Sequence, residues 1–250
     1  MNYVFGILRM LAFIIGTLLL VPFVALFKIL TKSTVWTQAW HTMACFIFNI
    51  KIKHRGMPRD AQDTPTMFVC NHLSYLDIIV LGSTMNAIFV AKSEVAGWPV
   101  FGFLSKIQDT IFIRRTREAM HESKDLIGNV LRQGKNVILF GEGTSTDGRA
   151  VKPFKAGLLE VLYEPGIDAQ LQPVAIVLDS VGGKNPDDQK VRDTYTWWRL
   201  EDTLAPHLWN FAKAGGANLT IHYELPMDPK DYPDRKALAA AATQAVAAEL

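Results

Sequence analysis

The strongest constraint on the fold lies between residues 66 and 82, where an apolar run gives way to a polar turn and then to a second apolar run. Thr66-Met67-Phe68-Val69-Cys70 reads as a buried strand, and Ile78-Ile79-Val80-Leu81 as the buried side of a helix that ends near Gly82. Between them stands Asn71-His72-Leu73-Ser74-Tyr75-Leu76-Asp77. A strand, a turn and a helix place His72 at the carboxyl end of a strand, where open α/β sheets hold their ligands. On one continuous helix, residues five apart would point about 140° apart. His72 and Asp77 can therefore meet only if the histidine sits in the turn and the aspartate in the first helical turn. Asp77 would then accept from one imidazole nitrogen and leave the other free as a base. A second reading uses the same residues: Ser74-x-x-Asp77 is close to a capping box, with Ser74 as N-cap. The spacing alone leaves both open.

Elsewhere short apolar runs alternate with longer amphipathic ones. Strands are predicted over 50–53, 66–70, 87–91, 110–114, 136–140, 171–178 and 218–224. Helices are predicted over 76–83, 99–107, 117–132, 154–163, 201–212 and, rich in alanine, 237–250. That alternation predicts an α/β domain with a mixed, largely parallel sheet covered by helices on both faces. Residues 180–198 form the one long irregular stretch, with Gly182-Gly183, Asn185-Pro186 and the aromatic group Tyr195, Trp197 and Trp198. Loops of that length are usually functional or mobile.

The amino end has a different character. No charged residue occurs from Met10 to Phe27, and only Arg9 and Lys28 interrupt the apolar run from Val4 to Leu30. Crossing a bilayer core takes about 20 residues. The run is too long for a signal peptide and no small-x-small cleavage site follows. Pro22 could kink it, so a span and a helix buried in one leaflet both remain. A second segment, 35–50, carries Trp36, Trp40, Phe46 and Phe48 among polar residues, a pattern suited to the headgroup level. Residues 1–50 are thus expected to form a two-helix membrane-docking element and residues 51–250 the α/β domain; the other reading has the two helices packed on the domain. Seven basic residues and no acid precede Asp60, while the whole chain is only +2, so the body is net acidic. A basic, apolar end suggests an anionic membrane surface as partner before nucleic acid. Cys45 and Cys70 show no metal-ligand spacing, which predicts neither zinc nor a disulfide framework but two packed thiols in a reducing compartment.

Three further stretches carry potential chemistry. Asn136-Val137-Ile138-Leu139-Phe140-Gly141-Glu142-Gly143-Thr144-Ser145-Thr146-Asp147-Gly148 is a buried strand running into a Gly- and hydroxyl-rich turn around one acid. Backbone amides of such a turn can cradle an anion, or the turn is simply a strand end. It is not a P-loop, because no Gly-Lys-Ser/Thr follows, nor a dinucleotide fingerprint, because Thr146 stands at the third glycine position. No Gly-x-Ser-x-Gly elbow occurs in the chain. Thr110-Ile111-Phe112-Ile113-Arg114-Arg115 is a strand ending in two arginines, of which alternation would turn one toward a site; a solvated strand end is the other reading. In Gln172-Pro173-Val174-Ala175-Ile176 the proline suggests an edge strand or a tight entry.

Taken together and in this order, the four stretches resemble the lysophospholipid acyltransferase family, most closely its 1-acylglycerol-3-phosphate acyltransferases, over roughly residues 65–180. The family's Asn-His-x-x-x-x-Asp motif is complete as Asn71, His72 and Asp77. Its Phe-Pro-Glu-Gly-Thr-Arg-Ser motif stands here as Phe140 to Thr146, with Gly141 for the proline and Ser145 for the arginine. Its Gly-x-Ile-Phe-Ile-x-Arg motif maps onto Asp109 to Arg115, with Asp109 for the glycine. The fourth motif is a loose match around Val174, with Pro173 displaced. The resemblance implies the glycerolipid acyltransferase fold, with His72 as base and Asp77 as its orienting partner. It implies Asn71, Arg115, Glu142, Gly143 and Thr144 on the substrate side, with Glu142 and Arg115 positioning the acceptor. It implies transfer of an acyl group from acyl-CoA or acyl-carrier protein to 1-acylglycerol-3-phosphate, giving phosphatidic acid. Neither a metal nor a cofactor is expected, since a thiolate leaves well without a covalent enzyme intermediate. A site facing the cytoplasm at a membrane is expected too. Ser145 removes one phosphate-binding charge, for which Arg114, Arg149 and Lys152 are the expected compensators. Acylation of lyso-ornithine lipid, which has no phosphate, is the alternative, and an inactive membrane-bound scaffold is the alternative of another class.

Overall fold

The computed structural model describes residues 2–31, 35–59, 64–98, 101–114, 116, 118–199 and 201–250. Its elements are α1 (Tyr3–Thr31), α2 (Val35–Phe48), β1 (Ile50–Arg55), β2 (Thr66–Cys70), α3 (Leu76–Thr84), β3 (Ile88–Lys92), α4 (Phe101–Ile107), β4 (Ile111–Ile113), α5 (Met120–Arg132), β5 (Val137–Phe140), β6 (Gln170–Val181), α6 (Gln189–Arg192), α7 (Leu204–Ala214), β7 (Ala217–Tyr223) and α8 (Arg235–Ala247). The seven strands form one sheet in the order β1-β7-β6-β2-β5-β3-β4. Every neighbouring pair is parallel except β6 and β7. The sheet is mixed and largely parallel, as the alternation of elements predicts.

Alternation along the strands sorts the core into two layers. Phe68, Cys70, Val174 and Ile176 face α2, α3 and α7, whereas Met67, Val69, Leu171 and Ala175 face α5, α8 and the short 3₁₀ turn Leu158–Tyr163. Three local expectations shift for physical reasons. The predicted helix over 154–163 begins only at Leu158. The preceding backbone is committed elsewhere: Phe154 N–H donates to Thr243 Oγ1 and Lys155 N–H to the Gly141 carbonyl. Pro173 is not on an edge, since β6 lies between β7 and β2. It is tolerated because it falls one residue past Val174↔Tyr223, where the ladder to β7 ends, and only its carbonyl is used, by Glu224 N–H. The stretch over 180–198 is less irregular than expected: β6 runs to Val181, and α6 interrupts the rest.

The first two helices pack on the domain, and α1 keeps an apolar outer side. Phe13 of α1 lies against Trp40 and Phe48 of α2, at 5.7 and 5.1 Å between ring centroids. Trp40 Nε1 donates to Thr17 Oγ1, and Arg9 donates to the carbonyl of Ala212 in α7. At the far end of α1, Lys28 reaches Asp109 at 2.6 Å and the Ile107 carbonyl. α2 is more deeply embedded, with Ala44, Cys45 and Phe48 in the core beneath α3. The outer side of α1, with Leu18, Leu19, Ile29 and Leu30, is exposed. An apolar helix 29 residues long with its outward face uncovered has the length and composition of a membrane helix.

Candidate active site

β2 ends at Cys70, and the chain turns through residues 71–75 before α3 begins. Asn71 directs its side-chain amide at Ile176 of β6, donating to its carbonyl at 3.0 Å and accepting from its N–H at 2.7 Å. This pair of bonds continues the β2–β6 ladder one step beyond the strand. Asn71, expected among the substrate contacts, is 1% exposed with both ends of its amide engaged, so its side chain secures the turn.

His72 follows, partly exposed, its ring stacked on Phe140 at 3.8 Å between centroids. Its Nδ1 lies 2.9 Å from Asp77 Oδ2. The same oxygen accepts the backbone N–H groups of Leu73 at 2.6 Å and Ser74 at 2.9 Å. Asp77 Oδ1 accepts from the Tyr195 hydroxyl at 2.9 Å. Asp77, one fully buried carboxylate with four donors, thus orients the ring and also ties back to the Ser74 N–H, but the N-cap of α3 is Tyr75 and not Ser74, so the expected capping box is formed only in part. A carboxylate at Nδ1 fixes the proton on that nitrogen and leaves the Nε2 lone pair for a substrate hydroxyl.

The turn after β5 frames the other side. Glu142 is almost fully buried, and each oxygen accepts one backbone N–H: His72 at 2.8 Å and Lys152 at 3.0 Å. Burial raises its pKa, against the pull of those two amides. Each carboxylate oxygen accepts one of these N–H groups, so Glu142 holds the two turns together. Gly143 adopts φ +71, and a side chain there would meet Lys155 at 2.9 Å. The Thr146 N–H donates to the His72 carbonyl.

A cavity of about 430 Å³ opens beside His72. Tyr75, Ile78, Trp98, Phe101, Leu104 and Ile113 give it apolar walls, and Gly143, Thr144 and Ser145 form part of its rim. Among the described residues its lining includes the basic Lys92, Arg114 and Lys155 and no acid. Of the expected compensators only Arg114 belongs to it, paired with Glu122 at 2.8 Å. Arg149 is held outside by the Asp187 carbonyl and Gln189, and Lys152 contributes its backbone N–H to Glu142. Arg115 lies outside the described residues. Ser145 donates to the Trp197 carbonyl, and Trp197 N–H donates to the Leu73 carbonyl, which fastens the 193–198 segment over the site.

Sequence reasoning missed Tyr195 and Lys155, since nothing local ties an aromatic loop residue or a lysine near Pro153 to a histidine far away in the chain. The one signal was the aromatic group in the irregular stretch. Cys45 and Cys70 are buried free thiols, and burial raises both, Cys45 to about 11. Among the described residues, one group with metal-ligand chemistry, His222, Glu224 and Glu249, brings its donor atoms within 4.8 Å of one another, and none of the three lines the cavity.

The acyltransferase family matches residues 51–177, which hold His72, Asp77 and Glu142. The chain belongs to this acyltransferase family. Among curated members, a lyso-ornithine lipid O-acyltransferase of Rhodobacter capsulatus is 36% identical, covering 84% of this chain and 75% of that one. A 1-acyl-sn-glycerol-3-phosphate acyltransferase of Neisseria meningitidis is 27% identical over 73% of this chain and 68% of its own. The crystal structure of the 1-acyl-sn-glycerophosphate acyltransferase PlsC from Thermotoga maritima matches the whole chain and 96% of its own, with a TM-score of 0.71 at 20% identity, which establishes the shared fold. Family membership makes the protein an acyltransferase of lipid metabolism, and the exposed apolar side of α1 associates it with a membrane. Of the two curated relatives the more similar is named for lyso-ornithine lipid, the acceptor held as the alternative, and the less similar for the acceptor expected first.

Proposed function

We propose that this acyltransferase moves a fatty acyl group from acyl-CoA or acyl-carrier protein to the free hydroxyl of lyso-ornithine lipid, at a membrane surface with its site facing the cytoplasm. His72 Nε2 takes the proton of the acceptor hydroxyl as its oxygen attacks the thioester carbonyl. The tetrahedral intermediate then collapses with loss of the thiolate, which the same proton can neutralise. Asp77 holds the imidazole and balances its transient charge, and the backbone N–H groups of Thr144 and Ser145, which line the cavity, serve as donors for the developing oxyanion.

The observation that carries the choice of acceptor is Ser145. The residue at the family's arginine position is a neutral hydroxyl committed to the Trp197 carbonyl, so it adds no charge for a phosphate. The 36% identical relative named for lyso-ornithine lipid supports the same reading. Lys92, Arg114 and Lys155 then serve the acceptor carboxylate and the phosphates of the donor. Those same cations favour lysophosphatidate as the second reading. The protein reconstituted in vesicles, given one thioester and each acceptor in turn, decides between them. Faster thiol release with lyso-ornithine lipid is expected, and Ser145→Arg should reduce that rate by repelling the ornithine ammonium. Wild-type preference for lysophosphatidate would overturn the assignment, and no thiol release with any acceptor would favour the inactive scaffold.

A further inference from the structure

The cavity has a second polar end that the acyl transfer does not use. His41 of α2 and Thr110, just before β4, both line it and are 2% and 8% exposed. His41 Nε2 lies 2.8 Å from Gln108 Oε1, which places the ring proton on Nε2 and leaves Nδ1 an acceptor. Nδ1 and Thr110 Oγ1 are two buried polar atoms without a hydrogen-bond partner, carried by residues that line the pocket. Burial holds His41 neutral, its pKa lowered to about 4. Gly82 lies against the ring: a side chain there would stand 2.5 Å from His41 Cδ2. A glycine inside α3 weakens the helix, so its presence accommodates an imidazole that has no part in the reaction.

Strand register sets how far this end lies from the chemistry. Val90 pairs with Ile111, Phe89 with Ile138, and Ile138 with Phe68. Thr110 is therefore level with Phe68, four residues before His72, and three strands away. At about 3.3 Å per residue and 4.8 Å per strand, that is roughly 13 Å along the sheet and 14 Å across it. A group bound there belongs to the far part of a fatty chain whose reacting end is at His72.

We infer that His41 and Thr110 form a hydrogen-bonding subsite for a hydroxyl carried in the distal half of a substrate's fatty chain. Such a hydroxyl donates to His41 Nδ1 and accepts from Thr110 Oγ1–H, satisfying both atoms where a plain methylene satisfies neither. The inference rests on the acyl-transfer reading for the placement of the chain, and not on which acceptor headgroup is used. A site built to hydrogen-bond a hydroxyl discriminates more strongly than one that only packs methylenes.

The test uses the full chain in vesicles, with the CoA thioesters of palmitate and of palmitates bearing one hydroxyl at successive carbons from mid-chain to the methyl end. The same series in the acceptor chain distinguishes donor from acceptor as its carrier. Two or three adjacent positions should raise kcat/KM about tenfold over the plain chain. That ratio should fall to one or below in His41→Leu and Thr110→Val, and in Gly82→Ala, which displaces the ring. Calorimetric binding of the same thioesters gives the comparison without turnover, so loss of all activity would remove the acyl-transfer reading and still leave the subsite measurable. If no hydroxyl position in either chain exceeds the plain chain in rate or binding, or if the ratio survives the three substitutions, the subsite does not exist.

Discussion

Tyr195 donates a 2.9 Å hydrogen bond to Asp77 Oδ1, across 118 positions of sequence and in full burial. The bond completes the shell of the carboxylate that orients His72. Tyr195→Phe should leave that oxygen short of a buried partner and destabilise the protein by about 1–3 kcal/mol. Turnover should fall by up to about 10²-fold through misplacement of the imidazole, with the acceptor KM little changed. Denaturation midpoints and steady-state kinetics on the same preparation check both parts.

His72→Ala removes the group proposed as base. The partly exposed ring contributes little to the core, so the fold should persist while turnover drops by at least about 10²-fold. Near-full activity in a folded His72→Ala protein, followed by thiol release, would remove the mechanism.

Glu142→Gln probes a residue that joins two backbone turns. Both carboxylate oxygens accept amide N–H groups, and a glutamine must turn its NH₂ against one of them. A loss of about 1–3 kcal/mol in stability and a lower kcat are expected, because the His72 and Lys152 turns lose their common anchor. Unaltered thermal stability would show that the bond to Lys152 or to His72 is dispensable.

His41 predicts an acid limb in stability. Its pKa falls from 6.5 to about 4 on folding. Between those values the unfolded chain binds the proton and the folded one does not, so stability is lost as pH falls from 6.5 toward 4. The contribution is fully present above pH 6.5. At about 1.4 kcal/mol per unit the loss amounts to roughly 3 kcal/mol. Chemical denaturation across that range should show the slope in the wild type and a shallower one in His41→Leu; parallel curves would exclude the effect.

Removing residues 1–34 should do more than release the protein from membranes. It takes away Phe13, packed on Trp40 and Phe48, and the Lys28–Asp109 contact at the end of α4. The truncated protein should lose stability as well as membrane binding, and a truncation that remains as stable as the full chain would make α1 an anchor only.

How much of this was written locally is clear from particular residues. Strand, turn and helix around His72 are determined by apolar periodicity over 66–82, and the five-residue spacing to Asp77 admits a meeting in one geometry alone. The alternation of strands and helices and the apolar amino end are local in the same sense, being carried by runs of adjacent residues. What the tertiary structure decided are contacts between distant segments. Asn71 is a clamp because Ile176 of β6 arrives beside it. Glu142 faces backbone because the 152 turn folds back over it. Tyr195 reaches Asp77 because Trp197 and Ser145 pin its segment across the site. Side-chain chemistry and periodicity act between near neighbours in the chain, whereas which donor meets which acceptor depends on the order of strands in the sheet, and only folding brings those partners within hydrogen-bond reach.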